Sequence, residues 1–411
     1  MAESASSVTR SADRQGGNAC RMSFDAERSS TNGNESPELD VVSPWGAPVG
    51  NEQRKAEVVL VTGSSGFLGQ HIVKLLQEED QTVREIRLFD IVPYENKLGH
   101  KTDKPTKEIT GDLCNARALQ EAFAGVDCVI HAAARVDVGL FPDVEALEAV
   151  NVEGTRNVID ACIKQNVPYL VFTSTVDVVV SSNHIFFGAE NTTFTPKHFL
   201  MGPYAETKHR AEQLVLQANH RVLADGATKF RTLVLRPTAM FGEQDTHFVV
   251  EFLRHAKASN NCLSKVRSVD ERFQVTYVGN AAQAHLQAKN RLATDDSVAG
   301  EVFFVTDDTP LEDIYEFLRP FVECQGCRLS DYTIPYLLAV LLLWLWALAL
   351  RMLRPVWHSS CAPPPASSVT YICTSLFFNR TKATLRLGYY PSISPDDAVS
   401  RSLDYYKSLK F

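Results

Sequence analysis

The sequence predicts a doubly wound α/β fold, in which helices cover both faces of a parallel sheet. Short apolar runs alternate with amphipathic stretches from about residue 56 to residue 236. Each run is apolar along its whole length, which is typical of strands that are buried on both faces. After residue 237 the alternation loosens, so a smaller second lobe is expected there.

The predicted elements follow one another along the chain as strand, helix, strand. Strands are expected at 58–63, 86–90, up to 111–112, 126–134, 169–175 and 231–236, and helices at 67–78, 145–165 and 204–219. Two further segments are mixed: 275–288 begins as a strand and continues as a helix, and 301–310 forms a strand and a turn. Nothing in this order repeats, and the net charge of −8 argues against a nucleic-acid binder.

A glycine-rich turn joins the first strand to the first helix. Its sequence is Thr-Gly-Ser-Ser-Gly-Phe-Leu-Gly at 62–69. Glycines in this position let backbone amides approach a pyrophosphate at the helix N-terminus. The turn therefore predicts a dinucleotide site that is formed by Gly63, Ser65, Gly66, Phe67, Leu68 and Gly69.

Two acidic residues extend this predicted site. Asp90 ends the second strand, where a carboxylate accepts hydrogen bonds from the adenosine ribose and repels a 2′-phosphate. This favours NAD over NADP, although Arg87 nearby leaves mixed use open. Asp112 follows the third strand and is placed to meet the adenine, or else it caps a helix at 113–124.

Tyr204 and Lys208 predict the reaction. Residues four apart share a helix face, and a lysine there is expected to lower the pKa of the phenol. A phenolate takes a proton from an alcohol while hydride leaves its carbon. Lys208 is also expected to hold the nicotinamide ribose. The hydroxyl of Thr175, with Ser174 as its rival, is expected to position the substrate oxygen.

An uncharged run of 17 residues, 334–350, is followed by Arg351, Arg354 and Pro355. Its length is at the short end for a bilayer span, and its Trp and Tyr residues suit an interface. A buried core helix is the alternative. The predicted division of the chain is a disordered tail at 1–54, a dinucleotide-binding domain at 55–236, a substrate-binding lobe at 237–330, a hydrophobic membrane segment at 331–356 and a C-terminal segment at 357–411.

Together, TGSSGFLG, GDLC, NVEGTRNVIDAC, TST, YAETK, RPTAMFG and YVGNAAQAH resemble the extended short-chain dehydrogenase/reductases. More narrowly, the chain resembles the 3β-hydroxysteroid dehydrogenase/Δ5-Δ4 isomerase family over roughly 56–408. The narrower signals are YVGNAAQAH, the TDDTP segment at 306–310 and the apolar run.

The resemblance implies that NAD oxidises the 3β-hydroxyl of a steroid or sterol, and that some members then move the double bond into conjugation. Tyr204, Lys208 and Thr175 match the oxidising residues. Asp307 and Asp308 match an aspartate pair proposed to move the proton in isomerisation, although they suit a turn or a helix cap equally well.

The sequence departs from the family at two places. Glu206 stands where the steroid-hormone enzymes often carry histidine, and Phe303 and Phe304 stand where they carry tyrosines. Isomerase activity therefore stays open. The alternatives are a sterol-4α-carboxylate 3-dehydrogenase, a nucleotide-sugar epimerase and a membrane-attached NAD-binding scaffold.

The resemblance also implies how the protein is placed in the cell. The C-terminal segment is similar to the closing helix of the catalytic domain, so both flanks of the apolar run are expected on one side of the bilayer. This predicts a re-entrant or interfacial insertion, with the catalytic domain facing the cytosol at the endoplasmic reticulum membrane. A homodimer is expected by analogy.

Overall fold

The computed structural model describes residues 56–268, 271–353 and 363–411. The predicted disordered tail at 1–54 lies outside these residues. The strands are β1 (Glu57–Thr62), β2 (Val83–Asp90), β3 (Thr106–Thr110), β4 (Cys128–His131), β5 (Tyr169–Thr173), β6 (Ile185–Gly188), β7 (Arg231–Pro237), β8 (Ala239–Phe241), β9 (Cys262–Arg267), β10 (Val275–Tyr277), β11 (Val302–Val305), β12 (Arg328–Pro335) and β13 (Leu376–Phe378).

The helices lie between these strands. They are α1 (Phe67–Glu78), α2 (Ala116–Phe123), α3 (Val144–Leu147), α4 (Gly154–Lys164), α5 (Gly202–Ala218), α6 (Val249–Ala258), α7 (Val278–Thr294), α8 (Ile314–Cys324), α9 (Tyr336–Leu353), α10 (Ala366–Ile372), α11 (Thr381–Leu387) and α12 (Pro395–Ser408). A π-helical turn, Glu148–Glu153, joins α3 to α4, and a 3₁₀ turn, Val176–Val179, follows β5.

Seven strands form one parallel sheet in the order β11-β7-β5-β4-β1-β2-β3. The order reverses beside β1, where β4 lies on one side and β2 on the other. Ligands of such sheets bind outside the carboxyl ends of the strands at this reversal. The predicted doubly wound parallel fold is confirmed.

The central strand β1 shows why the runs are apolar throughout. Val59 and Val61 point into the core shared with α1 and α7, whereas Val58 and Leu60 point into the core shared with α2, α4 and α5. Side chains alternate between the faces of a strand, so a strand covered on both sides needs apolar residues at every position.

Two local predictions need correction. The single helix expected at 145–165 is divided into α3, the π-helical turn and α4. The helix expected at 113–124 begins at Ala116, and its N-cap is Asn115, whose side chain accepts hydrogen bonds from Arg117 N and Ala118 N. Asp112 therefore does not cap this helix.

Three short parallel pairs lie outside the main sheet: β8 with β10, β9 with β12, and β6 with β13. The apolar helix α9 follows β12 directly, and only Ala339 in it is buried. Among the described residues it is the one helix long and apolar enough to cross a membrane. After it, α10 packs against α9, and α12 packs against α8.

Candidate active site

The glycine loop between β1 and α1 is packed as tightly as its sequence predicts. Gly63 has a φ of +72°, and a Cβ on it would lie 2.7 Å from the backbone of Ala133. A Cβ on Gly69 would lie 1.9 Å from the carbonyl oxygen of Gly63. Side chains are therefore excluded at both positions, and the backbone is left open to a ligand at the N-terminus of α1.

Ser64 and Asp90 complete this loop. The Ser64 hydroxyl is buried and has no hydrogen-bond partner among the described residues. Asp90 Oδ2 accepts a hydrogen bond from the backbone N–H of Ser65 at 2.9 Å, which holds the carboxylate beside the loop. The loop therefore fits a dinucleotide. Its backbone leaves no room for Cβ atoms, the Ser64 hydroxyl is without a partner, and the Asp90 carboxylate lies where it can accept hydrogen bonds from the ribose hydroxyls.

Arg87 is committed elsewhere. Its guanidinium donates hydrogen bonds to the carbonyl oxygens of Ala122 and Ala124, both at 2.7 Å, and it pairs with Glu85 at 2.9 Å. It is therefore not free to hold a 2′-phosphate, which favours NAD. Asp112 is exposed and accepts a hydrogen bond from Cys114 N at 2.9 Å, so its predicted contact with adenine stays a prediction.

The end of β5 presents two hydroxyls with different surroundings. Ser174 Oγ is buried and donates to Glu212 Oε2 at 2.7 Å, and Glu212 is in turn paired with Arg236. Thr175 Oγ1 accepts a hydrogen bond from Asp177 N at 3.2 Å, and the Thr175 hydroxyl also interacts with the Asp177 carboxylate, whose pKa it lowers. Ser174 is thus held by an ion pair and Thr175 by its own turn, and the predicted contact of Thr175 with the substrate stays a prediction.

Tyr204 and Lys208 lie one turn apart in α5, against the same end of β5. The Lys208 ammonium is buried, donates to the Thr173 carbonyl oxygen at 2.7 Å and lies 4.4 Å from the ring centroid of Phe172. Burial lowers the pKa of Lys208 to about 7. The structure thus brings Tyr204, Lys208 and Thr175 together at the carboxyl edge of the sheet.

The pKa of the Tyr204 phenol differs from the prediction. Burial and the negative charge of Asp177 raise this pKa above its ordinary value. This net shift is opposite to the lowering that was predicted from Lys208, whose ammonium donates to the Thr173 carbonyl oxygen and whose own pKa is lowered by burial to about 7.

Asn151 is a buried polar residue beside α5 that the sequence reasoning did not single out. It lies in the π-helical turn and is buried. Its amide donates to Arg135 O at 3.0 Å and to Thr207 Oγ1 at 3.1 Å, and its Oδ1 accepts from Arg135 N at 2.8 Å. It thereby joins the segment after β4 to α5. The interrupted helix is the physical signal, since π-helical turns recur at functional sites.

Asp177 and Tyr371 are the second group that was missed. Asp177 lies in the 3₁₀ turn that packs against α5. The hydroxyl of Tyr371 in α10 donates a hydrogen bond to the Asp177 carboxylate. Burial raises the pKa of Tyr371, and the nearby Asp177 and Tyr204 raise it further, so the three acidic groups lie close together. No local pattern indicates this contact, because it joins distant parts of the chain.

Asp307 and Asp308 have structural partners. Asp307 is buried, and its carboxylate accepts hydrogen bonds from Tyr277 N, Asn280 Nδ2 and Thr309 N at 2.7, 3.1 and 3.0 Å. Asp308 is exposed and pairs with Arg380. Within the described residues, no hydrogen bond or ion pair joins either aspartate to Tyr204, Lys208 or Thr175. Their predicted role in isomerisation stays a prediction.

Comparison with known proteins decides the family. The model of the 3-beta hydroxysteroid dehydrogenase/isomerase family matches residues 60–336. The "3 beta-hydroxysteroid dehydrogenase type 7" of Mus musculus is 33% identical over 362 residues, which cover 86% of this chain and 96% of that protein. This chain belongs to the 3-beta hydroxysteroid dehydrogenase/isomerase family. The predicted class of enzyme, an NAD-dependent dehydrogenase, is thereby confirmed.

Two further comparisons fit this family. The "3 beta-hydroxysteroid dehydrogenase/Delta 5-->4-isomerase" of Monkeypox virus is 37% identical over 285 residues, covering 67% of this chain and 80% of that protein. The solved structure of the Thermus thermophilus UDP-glucose 4-epimerase complex with NAD covers 85% of this chain and 99% of its own, at 20% identity and a TM-score of 0.59. At that identity the likeness shows the fold alone, which is that of the extended short-chain dehydrogenases.

Proposed function

We propose that this protein oxidises the 3β-hydroxyl of a steroid or sterol to a 3-ketone, with NAD as the hydride acceptor. The observation that supports the proposal is that Lys208 donates to the Thr173 carbonyl oxygen at the end of β5, two residues before Thr175, with Tyr204 one helical turn away in α5 and the glycine loop at the same edge of the sheet. Only dehydrogenation or a related hydride transfer needs a phenol, a lysine and a hydroxyl in this arrangement beside a dinucleotide site.

Each side chain then has a separate task. The Thr175 hydroxyl donates to the substrate oxygen and orients it. The Tyr204 phenolate accepts the hydroxyl proton while the C3–H bond is directed at the cofactor. Lys208 holds the nicotinamide ribose, and its positive charge, like that of the bound oxidised nicotinamide, favours the Tyr204 phenolate. When bound, NAD supplies the hydride acceptor.

The apolar helix α9 supports the proposal that the protein is attached to a membrane. In α9 the side chains of Leu337, Leu341, Trp344, Trp346 and Met352 are exposed. Its two flanks, β12 and α10, belong to the same unit as the catalytic residues, since β12 pairs with β9 and Tyr371 reaches Asp177. We therefore propose that α9 inserts into one face of the membrane, with the catalytic residues on the cytosolic side of the endoplasmic reticulum.

The test is an incubation of the membrane-bound protein with NAD and a panel of sterols. The panel contains 3β-hydroxy-Δ5 compounds with androstane, pregnane and cholestane skeletons, a 4α-carboxysterol and UDP-glucose, with products read by mass spectrometry. Oxidation at C3 without loss of carbon supports the proposal. Oxidation with release of carbon dioxide from the 4α-carboxysterol alone replaces it with the decarboxylating dehydrogenase, and turnover of UDP-glucose alone replaces it with an epimerase.

Tyr204→Phe tests the mechanism. This variant should bind NAD normally, while kcat falls about 10²–10⁴-fold, because the general base is lost and the fold is kept. Tyr390→Phe is the matched control, since Tyr390 is exposed on the surface. Turnover by Tyr204→Phe at the rate of the Tyr390→Phe control would contradict the mechanism.

A further inference from the structure

The carboxylate of Asp177 has one oxygen for which the described residues provide no donor. Asp177 Oδ1 is enclosed and has no hydrogen-bond partner among them, although the hydroxyls of Tyr371 and Thr175 both interact with the same carboxylate. Leaving a buried acceptor without a partner destabilises the folded protein. A native structure that retains such a group needs a reason, of which a catalytic role is one.

The position of Asp177 relative to Tyr204 supplies this reason. Asp177 follows Thr175 by two residues, and Thr175 Oγ1 receives its backbone N–H. Its carboxylate is near enough to the Tyr204 hydroxyl to raise the pKa of that group. The carboxylate therefore lies beside the two hydroxyls that contact the C3 oxygen of the substrate in the proposed function.

In a 3-ketosteroid, a carboxylate at the position of Asp177 would lie close to the carbon that loses a proton during isomerisation. C4 is bonded directly to C3, so a base that lies beside the groups on the C3 oxygen is close to the C4 hydrogens. An aspartate base beside a phenol that stabilises an enolate oxygen is a known arrangement for shifting a ketosteroid double bond. Burial raises the pKa of Asp177, which makes its carboxylate a stronger base than an exposed one.

We propose that Asp177, held in place by Tyr371, is the base that converts a Δ5-3-ketosteroid into its Δ4 isomer. The inference rests on the proposed function, which delivers the 3-ketone to the same site. The Asp177 carboxylate removes a proton from C4, and the electrons of that C–H bond form the dienolate, whose oxygen Tyr204 and Thr175 stabilise. The protonated Asp177 then returns the proton to C6. The double bond moves from C5–C6 to C4–C5, and nothing is oxidised or reduced.

Tyr371 has a positioning role in this step. It lies in α10, directly after the apolar helix, and its ring packs edge to face on Phe273 at 5.5 Å between centroids. Its hydrogen bond fixes one side of the Asp177 carboxylate and leaves Oδ1 for the substrate. Asp307 and Asp308 do not have this placement, since their carboxylates are bonded to other groups.

The experiment supplies a Δ5-3-ketosteroid directly, so that isomerisation is measured without dehydrogenation. The full-length protein is assayed with NADH bound, and the conjugated enone is followed by its absorbance. In Asp177→Asn we expect isomerisation to fall about 100-fold or more, as for loss of a general base, and Asp177→Glu should recover part of it. Oxidation of the 3β-hydroxysteroid is read in parallel as NADH formation, so that a loss of isomerisation alone is distinguished from a loss of both reactions.

The fate of the proton separates a catalytic role from a structural one. With deuterium at C4 of the substrate, a single carboxyl base should carry part of the label to C6, and Tyr371→Phe should lower both the rate and this transfer. Tyr336→Phe is the matched control: it removes a hydroxyl from α9 that contacts Thr370 in α10 at 3.1 Å, but it does not touch Asp177.

Three outcomes overturn the inference. The first is isomerisation at the wild-type rate in Asp177→Asn. The second is its loss in Asp308→Asn together with its retention in Asp177→Asn. The third is a wild-type protein that forms the 3-ketone but never the enone, which leaves the proposed dehydrogenation intact. By contrast, a protein that isomerises the supplied ketone but oxidises no 3β-hydroxysteroid contradicts the proposed function and supports Asp177.

Discussion

Replacing Gly69 by alanine tests the cofactor site at its tightest point. The added Cβ would lie 1.9 Å from the Gly63 carbonyl oxygen, whereas Cβ atoms essentially never approach within 3.0 Å, so the loop must open by at least 3.0 − 1.9 = 1.1 Å. The obstacle is backbone, which no side-chain rotation can relieve. Opening the loop by this much removes one or two backbone hydrogen bonds to the pyrophosphate, and a hydrogen bond to a charged group contributes about 1.5–3 kcal/mol. We therefore expect the Kd for NAD to rise about 100-fold.

Calorimetric titration of the detergent-solubilised protein with NAD measures this change. Gly125→Ala is the matched control, because Gly125 also has a positive φ, +73°, but a Cβ there meets nothing within 4 Å. That substitution strains the backbone by about 1–2 kcal/mol without reaching the cofactor site. If Gly69→Ala binds NAD as tightly as Gly125→Ala, the glycine loop is not the pyrophosphate cradle and the reasoning is refuted.

Three further predictions concern charge. Asp90→Ser should lower the preference for NAD over NADP about tenfold or more in kcat/KM, because the carboxylate that repels a 2′-phosphate is gone; an unchanged ratio would assign the preference elsewhere. Lys289→Met should lower the free energy of unfolding by about 3–5 kcal/mol in urea titrations, because it leaves the buried Asp80 and the nearby Glu57 without their cation. The control Arg117→Ala removes an exposed ion pair and should lower this free energy by under about 1 kcal/mol. Equal losses in the two variants would contradict the prediction. Burial lowers the pKa of His131 to about 3, so the unfolded chain binds a proton below the ordinary value of 6.5 while the folded one does not, and stability should fall from pH 6.5 toward 3; a His131→Gln variant with the same slope between pH 7 and 5 would argue against it.

Local sequence predicted some elements to the residue. The helix at 67–78 was expected and found with the same bounds, because a glycine turn precedes an amphipathic face. By contrast, apolar periodicity continues through 145–165 and gives no sign of the π-helical turn, in which Asn151 is hydrogen-bonded to Thr207 of α5. Periodicity reports which face is buried, and it does not report how the backbone hydrogen bonds are paired.

The pKa shifts of Tyr204 and Lys208 could not be predicted from the sequence, for a different reason. The spacing of Tyr204 and Lys208 predicts that they share a helix face, and they do. It cannot predict that Lys208 turns to the Thr173 carbonyl, nor that Asp177 faces the phenol. The sign of a pKa shift depends on every charge nearby and on burial, and both are properties of the folded chain.

The contact between Tyr371 and Asp177 connects the membrane segment to the chemistry. Tyr336 at the start of α9 is hydrogen-bonded to Thr370, the residue before Tyr371, and Val340 and Leu343 of α9 pack around Val369 in α10. The apolar helix α9 is thus in direct contact with α10, the helix that carries Tyr371. A sterol dissolves in lipid far better than in water. Under the proposed function and the proposed insertion of α9, an entrance beside this helix would let the sterol pass from the membrane to Tyr204 without crossing the aqueous phase.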